Sequence, residues 1–414
     1  MGLPKVSITL LNGQLGQVAP SVDGVAALIA TGIATGSIAL GESKKITSVE
    51  EAEALGLTAA YDTTNTANVG KCINDFYKEA GTGSVLWIAV VAKTNLMAAI
   101  VNEANTLLKK LIDDANVAGD KVRIAAVTRV PDGGYSPTYT GQIDTDVINS
   151  LPLANALANT LATGFRPIRI VLDGRDFQGT ISTLQDLKAT TYNRVAVCLF
   201  TDVASSDNAA VGLVLGRLAA IPVQRNIGRV KNDSIGKHQM IDGVFATSAP
   251  ILGAYLTGQA TLTETLSQAN QDSVHDKGYI FARKYVAKSG YFFNDDPTAT
   301  AATDDYNSIA RGRVIDKALV ITNQVYTDEL LDDLKVDDQG RIDAGVVKDY
   351  QSKIKKEIDA QMTITDEISG CRVVIDPKQN VLSTSKVIVQ LFIRPKFYSK
   401  EIAVTIGFEN PAST

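Results

Sequence analysis

Near the start of the sequence, Val6, Ile8 and Leu10 alternate with Lys5, Ser7 and Thr9. Near its end, Ile402, Val404, Ile406 and Phe408 alternate with Glu401, Ala403, Thr405 and Gly407. A period of two puts all the apolar side chains of a strand on one face. Each segment therefore predicts a half-buried strand that must join a sheet, in its own chain or in a neighbour's. Terminal segments are more commonly frayed and polar, so the pattern points to assembly rather than chemistry.

Between these segments the pattern changes twice. Residues 25–41 are small and apolar and read as two short strands, 26–31 and 36–41. Ser48 with Glu51 forms a capping box that opens a helix ending near Gly56. A helix is expected over 68–80, then a buried strand over the continuous apolar run 85–91. Through the middle, helices over 96–115, 146–161, 183–188 and 208–220 alternate with strands over 121–128, 169–172 and 194–200. That alternation favours an α/β layer with mainly parallel strands. Further on, residues 274–291 read as strand-like and 307–323 as helical, with Thr327 capping another short helix. Val346, Val347, Tyr350, Ile354 and Ile358 lie at helical spacing and predict an amphipathic helix. A short strand over 372–375 follows. Val387, Val389, Leu391 and Ile393 stand in a run that is apolar on both faces, which predicts a central strand.

Composition narrows the class without naming it. The 414 residues suffice for two or three domains, and the formal net charge of −5 comes with no basic run that would suggest nucleic-acid binding. The most apolar early stretch is broken by Thr31, Gly32, Thr35, Gly36 and Ser37, so no membrane span is expected. Lys5 interrupts any apolar core of a secretory signal. Cys72, Cys198 and Cys371 are widely spaced, and read as small hydrophobes in a reducing compartment.

Signatures of chemistry are sparse. Two histidines, His238 and His275, stand apart from any cysteine cluster, so no metal and no cofactor is expected. Gly81-Thr-Gly83 lacks the third glycine of a dinucleotide fingerprint, and Gly236-Lys237 continues into His238 rather than Ser or Thr. Asp173-Gly-Arg-Asp176 sits at a predicted strand end, where α/β enzymes place reactive groups. An α/β hydrolase-like enzyme using Asp173 and Asp176 is therefore the alternative reading, against a turn with a local ion pair. Tyr279, Phe281, Tyr285, Tyr291, Phe292 and Phe293 read as core. The acidic residues Asp328, Glu329, Asp332, Asp333, Asp337 and Asp338 lack EF-hand spacing and read as a solvated or partner-facing surface.

Taken in order, several segments resemble the sheath proteins of contractile phage tails and related contractile injection systems. They are Gly278-Tyr-Ile-Phe-Ala-Arg283, Asn307-Ser-Ile-Ala-Arg311-Gly-Arg-Val-Ile-Asp316, the helix over 346–362 and the stretch 386–409. Gly216-Arg217-Leu218 with Pro222-Val223 and Arg225-Asn226 is similar to one bacterial branch of these proteins, as is the early order of a Ser48 helix, Asp75-Phe-Tyr77 and a glycine turn into 85–91.

The resemblance implies a two-domain sheath-like fold, α/β and α+β, with an inner domain built from both chain ends and an inserted α/β outer domain. Residues 1–24 would be the linking strand and part of the inner domain, 25–250 the outer domain, and 251–414 the inner domain with its own linking strand. It implies a non-enzymatic subunit that stacks as rings into a helical tube around an inner tail tube, with baseplate and terminator proteins as further partners and no nucleic acid or membrane insertion. Val6, Ile8, Leu10, Ile402, Val404, Ile406 and Phe408 would join neighbouring copies. Lys353, Lys355, Lys356 and Glu357 would face the inner tube. Residues 383–386 and 394–400 are candidate hinges. Assembly would take place in the bacterial cytoplasm, as part of a phage tail or injection particle.

Overall fold

The structure, a computed structural model, describes residues 22–231, 235, 251–286 and 288–408. The chain packs as two compact units that divide after Leu330.

In the first unit, β1 (Ala26–Gly32) is an apolar run buried along its whole length. β2 (Ser43–Ile46) follows, then α1 (Val49–Ala54), where Ser48 accepts from the Glu51 amide at 3.3 Å. In α2 (Ala59–Asn65), Asp62 reaches forward to the start of α3 (Val69–Ala80) and accepts the amides of Val69, Gly70 and Lys71. One carboxylate thus satisfies three of the four orphan donors at that helix terminus. Next come β3 (Leu86–Ala92), α4 (Met97–Val101), α5 (Leu107–Val117), β4 (Ile124–Thr128) and α6 (Thr145–Thr163). β5 (Arg169–Asp173), β6 (Val195–Cys198), α7 (Val211–Ala220), α8 (Gln268–Asp276), β7 (Tyr279–Ile280) and α9 (Ile309–Thr327) complete the unit.

The sheet runs β7-β6-β5-β4-β1-β3-β2, parallel throughout except for the antiparallel edge strand β2. β1 lies between β3 and β4, so the strand order reverses there, as in doubly wound α/β sheets. The β1-to-β3 and β3-to-β4 connections run in opposite directions, so right-handed crossovers put α1–α3 on one face and α4–α6 on the other; α7 packs against α3. Strands buried on both faces read as continuous apolar runs rather than as alternation, which is the pattern seen in β1, β3, β4 and β6.

The tightest approach in the unit is α3 against α7. A Cβ on Gly212 would overlap the Cys72 carbonyl, and one on Gly216 the Phe76 carbonyl. Alongside, the fully buried Arg217 donates to Glu79 at 2.6 Å. Of the aromatic group read as core, Tyr279, Phe281, Tyr291, Phe292 and Phe293 are buried, and Tyr285 is half-buried.

The second unit is small. α10 (Ala344–Ile358) is capped by Asp343, whose side chain accepts from the Gly345 amide, and it continues as one π turn, Asp359–Thr363. β8 (Ile368–Ile375) and β9 (Val389–Pro395) form an antiparallel hairpin with a register shift between Ile368 and Gly370. Val347, Tyr350, Ile354 and Ile358 bury the apolar stripe of α10 as expected, and Val346 is half-buried.

Several elements differ from the sequence reading. Residues 36–41 form a turn rather than a strand, because the Thr35 hydroxyl accepts the amides of Ser37 and Ile38. The helix expected over 96–115 breaks into α4 and α5 at Thr106, which sits at φ +57°. Residues 274–291 open as the end of α8, capped by Ser267 and ended by Gly278 at φ +87°, before the short strands begin. α9 runs through Thr327 instead of restarting there. The first unit also continues past the boundary expected at residue 250, since β7 belongs to its sheet.

Gly216→Ala should lower unfolding stability by about 1–3 kcal/mol, the usual cost of overpacking a close-packed site. Gly36→Ala, at an exposed position with nothing within 4 Å of its added Cβ, should stay within about 0.5 kcal/mol of wild type. Urea denaturation of the two variants checks the pair.

Candidate functional site

Three places could carry function: the crevice at the carboxyl ends of the parallel strands, the seat of α9, and the C-terminal hairpin with the segment beyond it.

The crevice is where open α/β sheets bind ligands, and it holds the residues of the enzyme alternative. Asp173, at the end of β5, is fully buried. It accepts from the Thr128 hydroxyl (2.8 Å), the Asn208 side-chain amide (2.7 Å) and the Ala209 backbone amide (2.7 Å). Burial pushes its carboxyl up to about 6, against the pull of those three donors. Asp176 is separate: it accepts from the Tyr139 hydroxyl at 2.8 Å and from Gln178 at 2.9 Å, and it sits at φ +55°. The two carboxylates therefore have different partners. A buried network beside them went unread in the sequence. Arg129 lies 3.1 Å from Asp146 and 3.9 Å from the Tyr135 ring centroid, while Arg175 pairs with Asp144. Asp146 in turn accepts the Met97 and Ala98 amides at the start of α4. These groups hold loops to one another. In the sequence Asp146 showed only as the start of the helix expected over 146–161, since periodicity is blind to buried ion pairs.

At the amino ends of the strands, the Asn307-to-Asp316 motif acquires a physical reading. Ser308 caps α9. Asp316 accepts from Arg169 at 2.7 Å and from Arg194 at 2.9 Å. A Cβ on Gly312 would overlap the Arg169 guanidinium. Only glycine leaves room for that side chain to reach the carboxylate.

In the second unit, Val389, Leu391 and Ile393 form the half-buried face of β9, opposite Ile375, Val373 and Cys371, and Val387 precedes the strand. The central strand expected here pairs within the chain only with β8; among the described residues the hairpin is a sheet of two strands, open on both outer edges. The long partner strand was missed because only 372–375 alternates clearly; the Asp376-Pro377 turn signal would have marked the hairpin. Residues 401–408 form no strand within the chain. Their alternating apolar side chains all face solvent: Ile402 is 80% exposed, Val404 71%, Ile406 90% and Phe408 108%. Val6, Ile8 and Leu10 lie outside the described residues. Of the candidate hinges, 383–386 contains Ser385 at φ +49°.

On α10, Lys353 pairs with Asp349 (2.8 Å) and Lys355 with Asp359 (2.6 Å). The hydrogen bond to Asp359 holds the Lys355 ammonium above its ordinary value. Lys356 is exposed, and Glu357 accepts from Gln361 at 3.2 Å. All four flank the buried stripe and leave one charged face. Burial pushes the Cys198 thiol up to about 12; Cys72 is also buried and Cys371 half-buried, all three as free thiols. Among the described residues no group of three or more His, Cys, Asp or Glu side chains could hold a metal ion, and no helix is long and apolar enough to cross a membrane.

Folded-state elevation of the Asp173 carboxyl gives a pH dependence of known sign. Its unfolded value, 3.8, lies below its folded value, about 6. The folded chain therefore holds this proton more tightly, and the stabilisation is complete below the unfolded value and is lost as pH rises through about 6. Between pH 5 and 7, wild type should lose about 1 kcal/mol of stability relative to Asp173→Asn. Parallel denaturation curves at the two pH values measure the difference.

Comparison with known proteins agrees with this architecture. Solved structures with the same fold include the anti-feeding prophage baseplate, 6-fold symmetrised (TM-score 0.60, 14% identity, 99% of each chain covered). The anti-feeding prophage helical sheath in its contracted state has a TM-score of 0.59 at 12% identity, over 99% of this chain and 100% of that one. The PVC sheath complex of an extracellular contractile injection system, also contracted, has a TM-score of 0.56 at 13% identity, over 99% of this chain and 98% of that one. Among curated proteins nothing matches the sequence. Residues 3–297 match the model of the DUF2586 N-terminal domain and residues 305–413 that of the DUF2586 C-terminal domain. The chain thus has the fold of contractile-sheath proteins and belongs to the DUF2586 family.

Proposed function

We propose that this chain is the structural subunit of a contractile sheath, which polymerises around an inner tail tube and shortens to drive that tube through a target envelope. The observation that carries the reading is the exposure of Ile402, Val404, Ile406 and Phe408 in strict alternation, next in sequence to a hairpin with two open edges. Such a segment is a strand without a sheet, and such a hairpin is a sheet without its outer strands. Residues 401–408 of one copy add to the hairpin of the next, and the segment holding Val6, Ile8 and Leu10 adds in the same way from another copy. Subunits so joined stack as rings in a helical tube.

The energetics favour the joint through its side chains. Each added backbone hydrogen bond contributes about 1 kcal/mol net. Ordering the donated segment costs about 1–2 kcal/mol per residue, so those two terms nearly cancel. Burying each of the four apolar side chains adds roughly 1.5–3 kcal/mol, which decides the balance. Flexing at 383–386 and 394–400 lets the joints persist while subunits rotate between two packings.

In this scheme the hairpin and both terminal strands belong to the inner layer, and the α/β sheet with its covering helices to the outer one. Lys353, Lys355, Lys356 and Glu357 on α10 face the inner tube. Baseplate and terminator proteins close the two ends, and assembly takes place in the bacterial cytoplasm. Nothing in the geometry favours hydrolase chemistry: Asp173 is engaged by three donors, and Asp176 by Tyr139 and Gln178.

Deleting residues 401–414 should leave a folded, soluble subunit that makes no tubes. Negative-stain microscopy beside far-UV circular dichroism reads both halves of that expectation. Unchanged tubes would contradict the joint.

A further inference from the structure

The second unit is electrically polarised. Residues 369–400 carry Arg372, Lys378, Lys386, Arg394, Lys396 and Lys400 against a single acid, Asp376. Residues 331–338 carry Asp332, Asp333, Asp337 and Asp338 against Lys335. Part of this charge is matched locally, since Lys396 pairs with Asp366 and Asp337 with Arg341 at 2.9 Å. Of the other charges, Arg372 and Arg394 lie in one exposed patch and Asp332, Asp333 and Asp338 in another, each with an apolar centre. On the solvent face of the hairpin, the Arg372 guanidinium lies 4.6 Å from the ring centroid of Phe392, its cross-strand partner. Phe392 is 46% exposed, and Arg394 lies beside it opposite Gly370, which adds no side chain to the face. In the acidic segment, Asp332, Asp333 and Asp338 are exposed next to Leu331, itself fully exposed, and Val336.

The two patches occupy different places on the unit. Residues 335–342 fold against the turn end of the hairpin, through the Val336–Ile342 and Arg341–Asn380 bridges and the Asn380 side-chain bond to the Gln339 carbonyl. Arg372 and Phe392 lie three residues along the ladder from its Ile375–Val389 end, about 10 Å at the usual rise per residue.

We infer that the acidic segment 331–338 of one copy docks on the Arg372–Phe392–Arg394 face of a second copy. Opposite charge meets opposite charge, and Leu331 covers Phe392. With a net charge of −5, whole copies repel one another, so association needs a local complement of this kind. A patch and its complement at two sites of one unit make a head-to-tail contact, which repeats as a ring or an open helical row instead of closing as a dimer. The inference rests on the sheath reading and adds a second joint to the terminal strands.

Charge exchange in the full-length chain tests it. R372E/R394E and D332K/D333K should each raise the concentration needed for polymer by at least about tenfold, because like charges then face each other across the joint. The chain carrying all four changes should polymerise again, and so should an equimolar mixture of the two double variants, copies alternating. Pelleting and negative-stain microscopy read the polymer, and circular dichroism confirms the fold. Double variants that polymerise like wild type, or a four-fold exchange that stays folded without recovering, overturn the inference; the latter assigns the basic face to a different acidic partner. Absence of any wild-type polymer overturns the sheath reading instead. The joint is then read alone as pairwise association by sedimentation, where the same loss and recovery is required.

Discussion

An unpaired strand edge presents a row of amide and carbonyl groups that water alone satisfies, and any complementary extended segment competes for them. Among the described residues, the C-terminal unit has two such edges on a sheet of two strands, which is below the size at which a sheet is stable without further packing. α10 covers one face of the hairpin with Val347, Tyr350, Ile354 and Ile358. Nothing within the chain covers the edges among the described residues.

The first unit is complete by contrast, and its polar groups show how. Asp62 consumes three amides at the head of α3, Asp146 two at the head of α4, and Asp173 three donors from two segments. The Lys277 ammonium donates to the carbonyls of Ile181, Ser182 and Leu184. Buried polar groups are stabilising only when their bonds are made, and these three carboxylates and this ammonium make theirs internally. At the strand ends, where an enzyme receives a ligand, Asp173 is buried against the protein's own donors. A closed unit of this kind suits a frame that keeps its shape, while the connections proposed above lie in the small open unit.

Much of the frame was legible in the sequence. Continuous apolar runs gave β3, β4 and β6 their correct type, and the capping box at Ser48 marked α1. Where reading failed, a local hydrogen bond or a backbone twist had overridden propensity, as at Thr35, Thr106 and Gly278. The terminal alternation was visible from the start, but a strand needs a partner, and among the described residues 401–408 has none. That is why the 401–408 pattern reads as strand in the sequence and as exposed coil in a single subunit. The Arg129–Asp146 and Arg175–Asp144 pairs left no trace in periodicity, because ion pairs join residues by fold rather than by spacing.

The seat of α9 bears on how the subunit would take tension. The chain leaves α9 at Thr327 and enters the second unit at Leu331, so a pull on the hairpin reaches the first unit along this helix. The helix is held where Gly312 admits the Arg169 side chain and Asp316 grips both Arg169 and Arg194. Arg169 begins β5, an interior strand of the seven-stranded sheet. Force would thus pass through a buried ionic clamp into the middle of the β-layer, whose neighbouring strands share it, rather than peeling a strand from the rim.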